Sequence, residues 1–158
     1  MVNGYSLKTY DKKTMVRAIG KHLPISLKTS VEVLKYIKGK NVVKAKTLLE
    51  EVVAAKRAVP FNVYKKDIPH RKGKGLSVGR FPKKTSENII HLLNLLQANA
   101  KDKGLDEKSL IIIHAAAQNG PNLMHYGRLR RRMRKITHIE LAAEEIKAKK
   151  KSQEVDKK

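Results

Sequence analysis

The chain has 158 residues, 41% of them hydrophobic, which is enough for one domain with its own core. Its 36 Lys and Arg against 14 Asp and Glu leave a formal charge of +22, a density that repels itself unless a polyanion neutralises it, so nucleic acid is the expected partner. The lack of cysteine excludes disulfides and thiolate zinc sites, and 4% aromatic content with no Trp leaves little for a base-stacking platform, so binding should rest on phosphate contacts and shape.

In chain order, residues 1–13 are polar and basic, and Met15 to Leu23 alternates loosely, as an extended segment or edge strand does. Ser26 is a plausible N-cap for a first helix in which Leu27, Val31 and Leu34 recur at helical spacing, Val33 and Ile37 widen the stripe and Gly39 stops it. After Asn41 a second helix is predicted with Ala45, Leu48, Leu49 and Val52 on one face, running until Val59-Pro60 forces an extended exit. A third starts near Thr85 or Ser86, buries Ile89, Leu92, Leu93 and Leu96, and ends at Gly104. Between the second and third helices, Pro60 to Lys84 holds eight Lys or Arg against one Asp. That stretch is longer than compact domains usually leave irregular, which suggests a function for it.

From Ser109 the pattern turns to strand: Leu110 to Ile113 continues through Ala117, and Thr137, Ile139, Leu141 and Ala143 alternate with Ile136, His138 and Glu140. The turn signals between them are Asn119-Gly120-Pro121-Asn122 and Gly127, so the two arms are expected to run to the mid-120s and back. Each arm then holds roughly 15 residues, about 50 Å at 3.3 Å per residue. Its outer part, Asn119 to Lys135, has no acidic residue and needs a binding site to order it. The predicted fold is α+β: three helices on a small antiparallel sheet, with a long protruding basic β-hairpin. One domain is expected over residues 1–143, comprising a body at 14–118 and 136–143, the basic loop 60–84 and the hairpin 119–135. The Lys-rich tail 144–158 reads as flexible.

Motifs for chemistry are weak. Gly73-Lys74-Gly75-Leu76-Ser77-Val78-Gly79 neither follows a strand nor opens a helix, and no Walker Ser or Thr follows its Gly-Lys pair, so it reads as a loop whose backbone approaches phosphate closely. The six histidines lack the spacing of a metal site, and Glu50-Glu51, Glu87, Asp102, Asp106-Glu107 and Glu144-Glu145 are expected on helix surfaces or in turns, without a shared cleft. No catalytic residue, cofactor or metal is therefore expected, and the protein is not read as an enzyme. The Arg cluster from 128 to 134 lies between two β-capable arms, where Arg suits bidentate phosphate contact. No apolar run is long enough to span a bilayer and the N-terminus shows no apolar signal stretch, so no membrane partner and a cytoplasmic location are expected. A free-standing architectural nucleic-acid-binding protein is the alternative, but its cations should spread over a groove-sized surface, whereas here they concentrate in the loop and the hairpin.

Several motifs together resemble a known family. Val33 to Lys46 is similar to a signature in which an apolar helix closes on Ile-x-Gly-Lys and reopens before an Ala. Val59-Pro60-Phe61 and Gly79-Arg80-Phe81-Pro82-Lys83-Lys84 resemble an insert of its archaeal and eukaryotic forms. Gln97-Ala98-Asn99-Ala100, Gly104-Leu105-Asp106, Gly120-Pro121, Gly127-Arg128 and Thr137-His138-Ile139 continue the match, and Tyr5-Ser6 resembles the family's start. The family is the large-subunit ribosomal protein that lines the polypeptide exit tunnel, twenty-second in the bacterial naming and seventeenth in the eukaryotic. Between Gly120-Pro121 and His138-Ile139 the chain is shorter than the family pattern and lacks its Arg-Ala pair before Gly127.

The resemblance implies a structural constituent of the large subunit whose hairpin joins the tunnel wall. Its partners would be large-subunit rRNA, neighbouring large-subunit proteins and nascent chains, with no DNA. Residues expected at rRNA are Arg17, Lys21, Lys28 and Lys40 in the body; Arg71, Lys72, Lys74, Arg80, Lys83 and Lys84 in the loop; and Arg128, Arg130, Arg131, Arg132, Arg134, Lys135 and His138 in the hairpin. Leu123, Met124, His125, Tyr126 and Gly127 are expected at a tunnel-facing tip.

Overall fold

The computed structural model describes residues 6–7, 9–73 and 76–145. Tyr5, Lys74, Gly75 and the tail lysines from Lys147 lie outside the described residues.

Alternation places β1 at Met15–Leu23, as expected. The first helix, α1, spans Leu27–Ile37 and buries Val33, Leu34 and Ile37, while Leu27 and Val31 lie at the edge of that face. Gly39 then takes a left-handed φ of +77°, which a residue with a Cβ adopts only with strain. This turn has a second purpose: Gly39 donates its N–H to the Ile112 carbonyl at 2.8 Å, and Ile112 donates to the Lys40 carbonyl at 3.0 Å. The Gly-Lys junction is thereby fastened to the edge of the sheet.

Helix α2, Val42–Val53, is capped by Asn41, whose side chain accepts from the Val43 N–H. It stops earlier than the periodicity predicts because Ala55 enters the left-handed region, φ +59°, and the chain leaves through a turn before β2, Val59–Pro60. β2 pairs antiparallel with β3, Gly79–Arg80, so the expected loop of 60–84 is closed at its neck by a short ladder.

Helix α3 spans Lys83–Asp102 and buries Ile89, Leu92, Leu93 and Leu96 as predicted, but starts earlier than Thr85. Pro82 sits at its N-cap, where a fixed φ and a missing N–H cost nothing.

Strands β4, Leu110–Asn119, and β5, Thr137–Glu145, pair antiparallel, and β1 pairs with the other edge of β5 to give the order β1-β5-β4. The fold is α+β, as predicted. Val16, Ala18, Ile139, Leu141, Ala143, Leu110 and Ile112 are buried in one apolar core with the helices. β5 continues to Glu145, with Glu144 paired to both Met15 and Ile111, so the tail does not begin at Glu144. Lying between two strands keeps these glutamates in the ladder despite their charge.

The regular ladder of the hairpin ends at Asn119 and Thr137, making arms of ten and nine residues instead of the expected fifteen. Pro121 has no N–H to offer a ladder. At Gly120 a Cβ would meet the Ile136 side chain at 2.5 Å and its carbonyl oxygen at 2.9 Å. Beyond that crossing the two strands hold together through an isolated bridge between Met124 and Met133 and through Arg134 N–H to Leu123 carbonyl at 2.7 Å. A 3-10 turn over Gly127–Leu129 then reverses the chain.

Candidate nucleic-acid interface

None of the three helices carries an acidic residue in its first turn. Carboxylates there would satisfy the helix dipole. α3 instead opens on exposed Lys83 and Lys84, an arrangement that is repulsive until an anion is placed against it. The same holds for the charge at large: the described residues contain three ion pairs, one of them involving His114, so most cations are left to meet solvent or a ligand.

The fold gathers the predicted cations into three groups. Lys28, at the start of α1, lines a groove of about 440 Å³ with Asn119, Asn122, Arg134 and Lys135, which joins the body to the base of the hairpin's outer part. Lys72 shares a groove of about 500 Å³ with Tyr36, Lys56, Arg57 and Pro60. Lys40 lines a second, smaller groove that shares Tyr36 and Pro60 with it, and its ammonium is 5.0 Å from the Tyr36 ring centre. The third group, Arg128, Arg130, Arg131 and Arg132, lines a cleft of about 740 Å³ together with Met124 and Leu129. All four arginines are exposed.

Other predicted residues stand apart from these groups. Arg71 lies 5.4 Å over the Phe81 ring and Arg80 reaches the Asp67 carbonyl at 3.4 Å, so each is directed by its own loop. Lys21 is exposed at the end of β1. Arg17 is half-buried, its guanidinium 4.5 Å from the Tyr10 ring centre. His138 is half-buried too: its Nδ1 accepts from the His22 N–H at 2.9 Å, which puts the ring proton on Nε2. At the tip, Leu123, Met124 and Tyr126 are exposed, Tyr126 most of all at 84%, and Gly127 turns with φ +64°. Arg134 lies 5.8 Å over the Tyr126 ring.

Sequence reading missed two kinds of residue. Lys56 and Arg57 belong to the Lys72 groove, where a hydrogen bond with Tyr36 and then the charge of Glu51, 2.7 Å away, push the Arg57 pKa above its ordinary value. Two buried carboxylates were also overlooked. Glu32, 1% exposed on α1, accepts from the backbone N–H groups of Asn62, Val63 and Tyr64 at 3.1, 2.8 and 2.7 Å. Glu140, fully buried in the central strand, accepts from the Ser6 N–H and hydroxyl at 2.8 and 2.7 Å and from Gln118 at 2.8 Å, with His114 Nε2 at 3.6 Å. Both carboxylates are structural anchors: one holds the entrance of the basic loop and the other the root of the hairpin. A signal for Glu140 exists, since it interrupts an apolar run in a strand with neighbours on both sides; for Glu32 there is none.

Among the described residues, no group of three or more His, Asp or Glu could hold a metal ion, and no helix is long and apolar enough to cross a membrane.

The family model described as Ribosomal protein L22p/L17e matches residues 18–144. The chain is similar to a large ribosomal subunit protein uL22 from Archaeoglobus fulgidus, 40% identical over 146 residues that cover 89% of this chain and 94% of the relative. It is also similar to the proteins of that name from Cenarchaeum symbiosum, 37% identical over 90% of this chain and 97% of the relative, and from Staphylothermus marinus, 34% identical over 90% and 96%.

Proposed function

Since the chain belongs to the ribosomal protein L22p/L17e family, we propose that its three cationic groups are the surfaces that grip large-subunit rRNA, and that the tip from Leu123 to Gly127 faces the nascent chain. The protein is an archaeal-type structural constituent of the large ribosomal subunit, not an enzyme. It binds rRNA and other ribosomal proteins, contributes to the exit-tunnel wall, and works in the ribosomes of the cytoplasm.

The observation that carries the residue-level reading is the outer hairpin. Between Gly120 and Lys135 the chain has six cations and no carboxylate, and its regular ladder has already ended. Held together by so few bonds, such a segment persists as a hairpin only if an external anion offsets its repulsion. Phosphates on several strands of a folded RNA supply that. Arg suits the task because its planar fork can take two phosphate oxygens or stack on a base. The Lys28, Arg134 and Lys135 groove then fixes the angle at which the hairpin leaves the body, and the loop group places a second contact at a distance from it. The exposed apolar residues of the tip, with Tyr126 and His125 beside them, are the side chains offered to a passing peptide.

Sucrose-gradient fractionation of a lysate at moderate and high salt, with detection of this chain, tests the reading. The expected result is co-migration with large subunits that survives high salt. Release by modest salt would favour the looser architectural nucleic-acid protein that the charge alone allows, because contacts made only to phosphate weaken steeply with ionic strength.

A further inference from the structure

Resting on the ribosomal placement above, we propose that the outer face of the α2–α3 pair is a docking groove for a basic segment of another large-subunit protein, anchored by apolar side chains, and that RNA does not occupy it. The groove has a volume of about 300 Å³ and is lined by Glu50, Val53, Ala54, Glu87, Ile90 and His91. No Lys or Arg lines it, in a chain where such residues outnumber carboxylates 36 to 14. Its floor is the apolar surface of Val53, Ala54 and Ile90.

Charge identifies the occupant. Glu50 and Glu87 are exposed, and among the described residues neither side chain has an ion-pair or hydrogen-bond partner. Two unpartnered carboxylates repel phosphate and attract ammonium or guanidinium groups. By helical spacing, Leu95 lies one turn beyond His91 on α3 and Val43 two turns before Glu50 on α2, each on the face that its helix turns to the groove. Val43 is 44% exposed and Leu95 46% exposed. A segment presenting apolar side chains at helical spacing, flanked by Lys or Arg, matches this stripe and its rim. The groove is small for a free-standing complex, so its occupant is a neighbour already held in place by the same RNA, for which a weak contact suffices.

The test uses the full chain assembled into large subunits, with a benzophenone amino acid placed at Leu95 and, in a separate protein, at Arg130. Irradiation should join the Leu95 probe to a Lys- or Arg-rich segment of another subunit protein and the Arg130 probe to RNA. Glu50→Lys with Glu87→Lys should then cut the Leu95 protein adduct by about tenfold or more, since reversed charges face the occupant's cations, while leaving assembly and the Arg130 adduct unchanged. An RNA adduct at Leu95, no adduct in assembled subunits, or a protein adduct indifferent to the charge reversal would each overturn the groove proposal alone. Failure of the unmodified chain to enter large subunits would overturn the placement as well.

Discussion

The two basic excursions of this molecule, the loop that leaves at Pro60 and the hairpin that leaves at Gly120, are similar in charge and held in opposite ways. The loop is tied to the body by buried groups: Phe61 is 2% exposed, β2 and β3 close its neck, and the Glu32 carboxylate collects three consecutive backbone N–H groups. The outer hairpin has no buried residue between Gly120 and Ile136, and its two sides are joined by a few backbone bonds and a cation–π contact. A basic surface can thus be preformed or be left for its ligand to shape. The difference lies in whether the fold provides an internal anion: Glu32 supplies one to the loop, and the outer hairpin, from Gly120 to Lys135, has no carboxylate of its own.

The largest test of that contrast removes the internal anion. In Glu32→Ala three backbone N–H groups lose a buried, charged acceptor, and at about 1 to 1.5 kcal/mol for each such bond the body should lose roughly 3 to 4 kcal/mol in denaturant unfolding. Amide exchange at Asn62, Val63 and Tyr64 should accelerate with it, and the loop should come to resemble the hairpin. Unchanged protection at those three amides would mean that the β2–β3 neck alone holds the loop. Glu32→Gln keeps the shape and one acceptor oxygen, and should fall between the two.

A smaller effect is expected at the glycines through which each excursion passes. A Cβ at Gly79 would stand 2.9 Å from the Val59 carbonyl oxygen, and one at Gly120 only 2.5 Å from the Ile136 side chain. Each Ala substitution forces a local shift worth roughly 1 to 3 kcal/mol, but the consequences should separate. Gly79→Ala strains a neck packed on the core and should lower the global unfolding midpoint. Gly120→Ala lies where the ladder is already ending, so the strain can be released by opening the outer hairpin, and it should show mainly as weaker RNA association. Equal losses of midpoint in the two variants would show that the crossing at Gly120 belongs to the cooperative unit.

What was legible in the sequence follows the same division. Repetition at helical spacing was enough to find α3 and its buried Ile89, Leu92, Leu93 and Leu96, and Gly39 marked the end of α1, because those signals act over a few residues. The partners of the buried carboxylates were not legible, even at Glu140, where an interrupted apolar run marks the position. The partners of Glu32 lie 30 to 32 residues away and Ser6 lies 134 from Glu140, so their burial is decided by topology. The hairpin's length was misjudged for a local reason: Gly120-Pro121 ends a ladder as readily as it makes a turn, and β-propensity on both sides hid the difference. Of the site, the Arg cluster was visible as composition, but its division into a tip cleft and a groove shared with Lys28 needed the fold.

The smallest effect on stability should come from the outer arginines, and that makes them the sharpest probe of the contrast. Arg130 and Arg132 are exposed and their side chains form no ion pair among the described residues, so Arg130→Ala with Arg132→Ala should leave the unfolding midpoint where it was. RNA association should nevertheless weaken, with a salt dependence reduced by two phosphate contacts at roughly 0.7 to 0.9 each in the log–log slope. Amide exchange in the free protein supplies the other half of the experiment: residues 120–135 should exchange rapidly without RNA and be protected with it. Should the slope stay the same, those arginines do not touch phosphate. Should the segment be slow to exchange when free, its few backbone bonds hold against their own charge, and the hairpin would be as preformed as the loop.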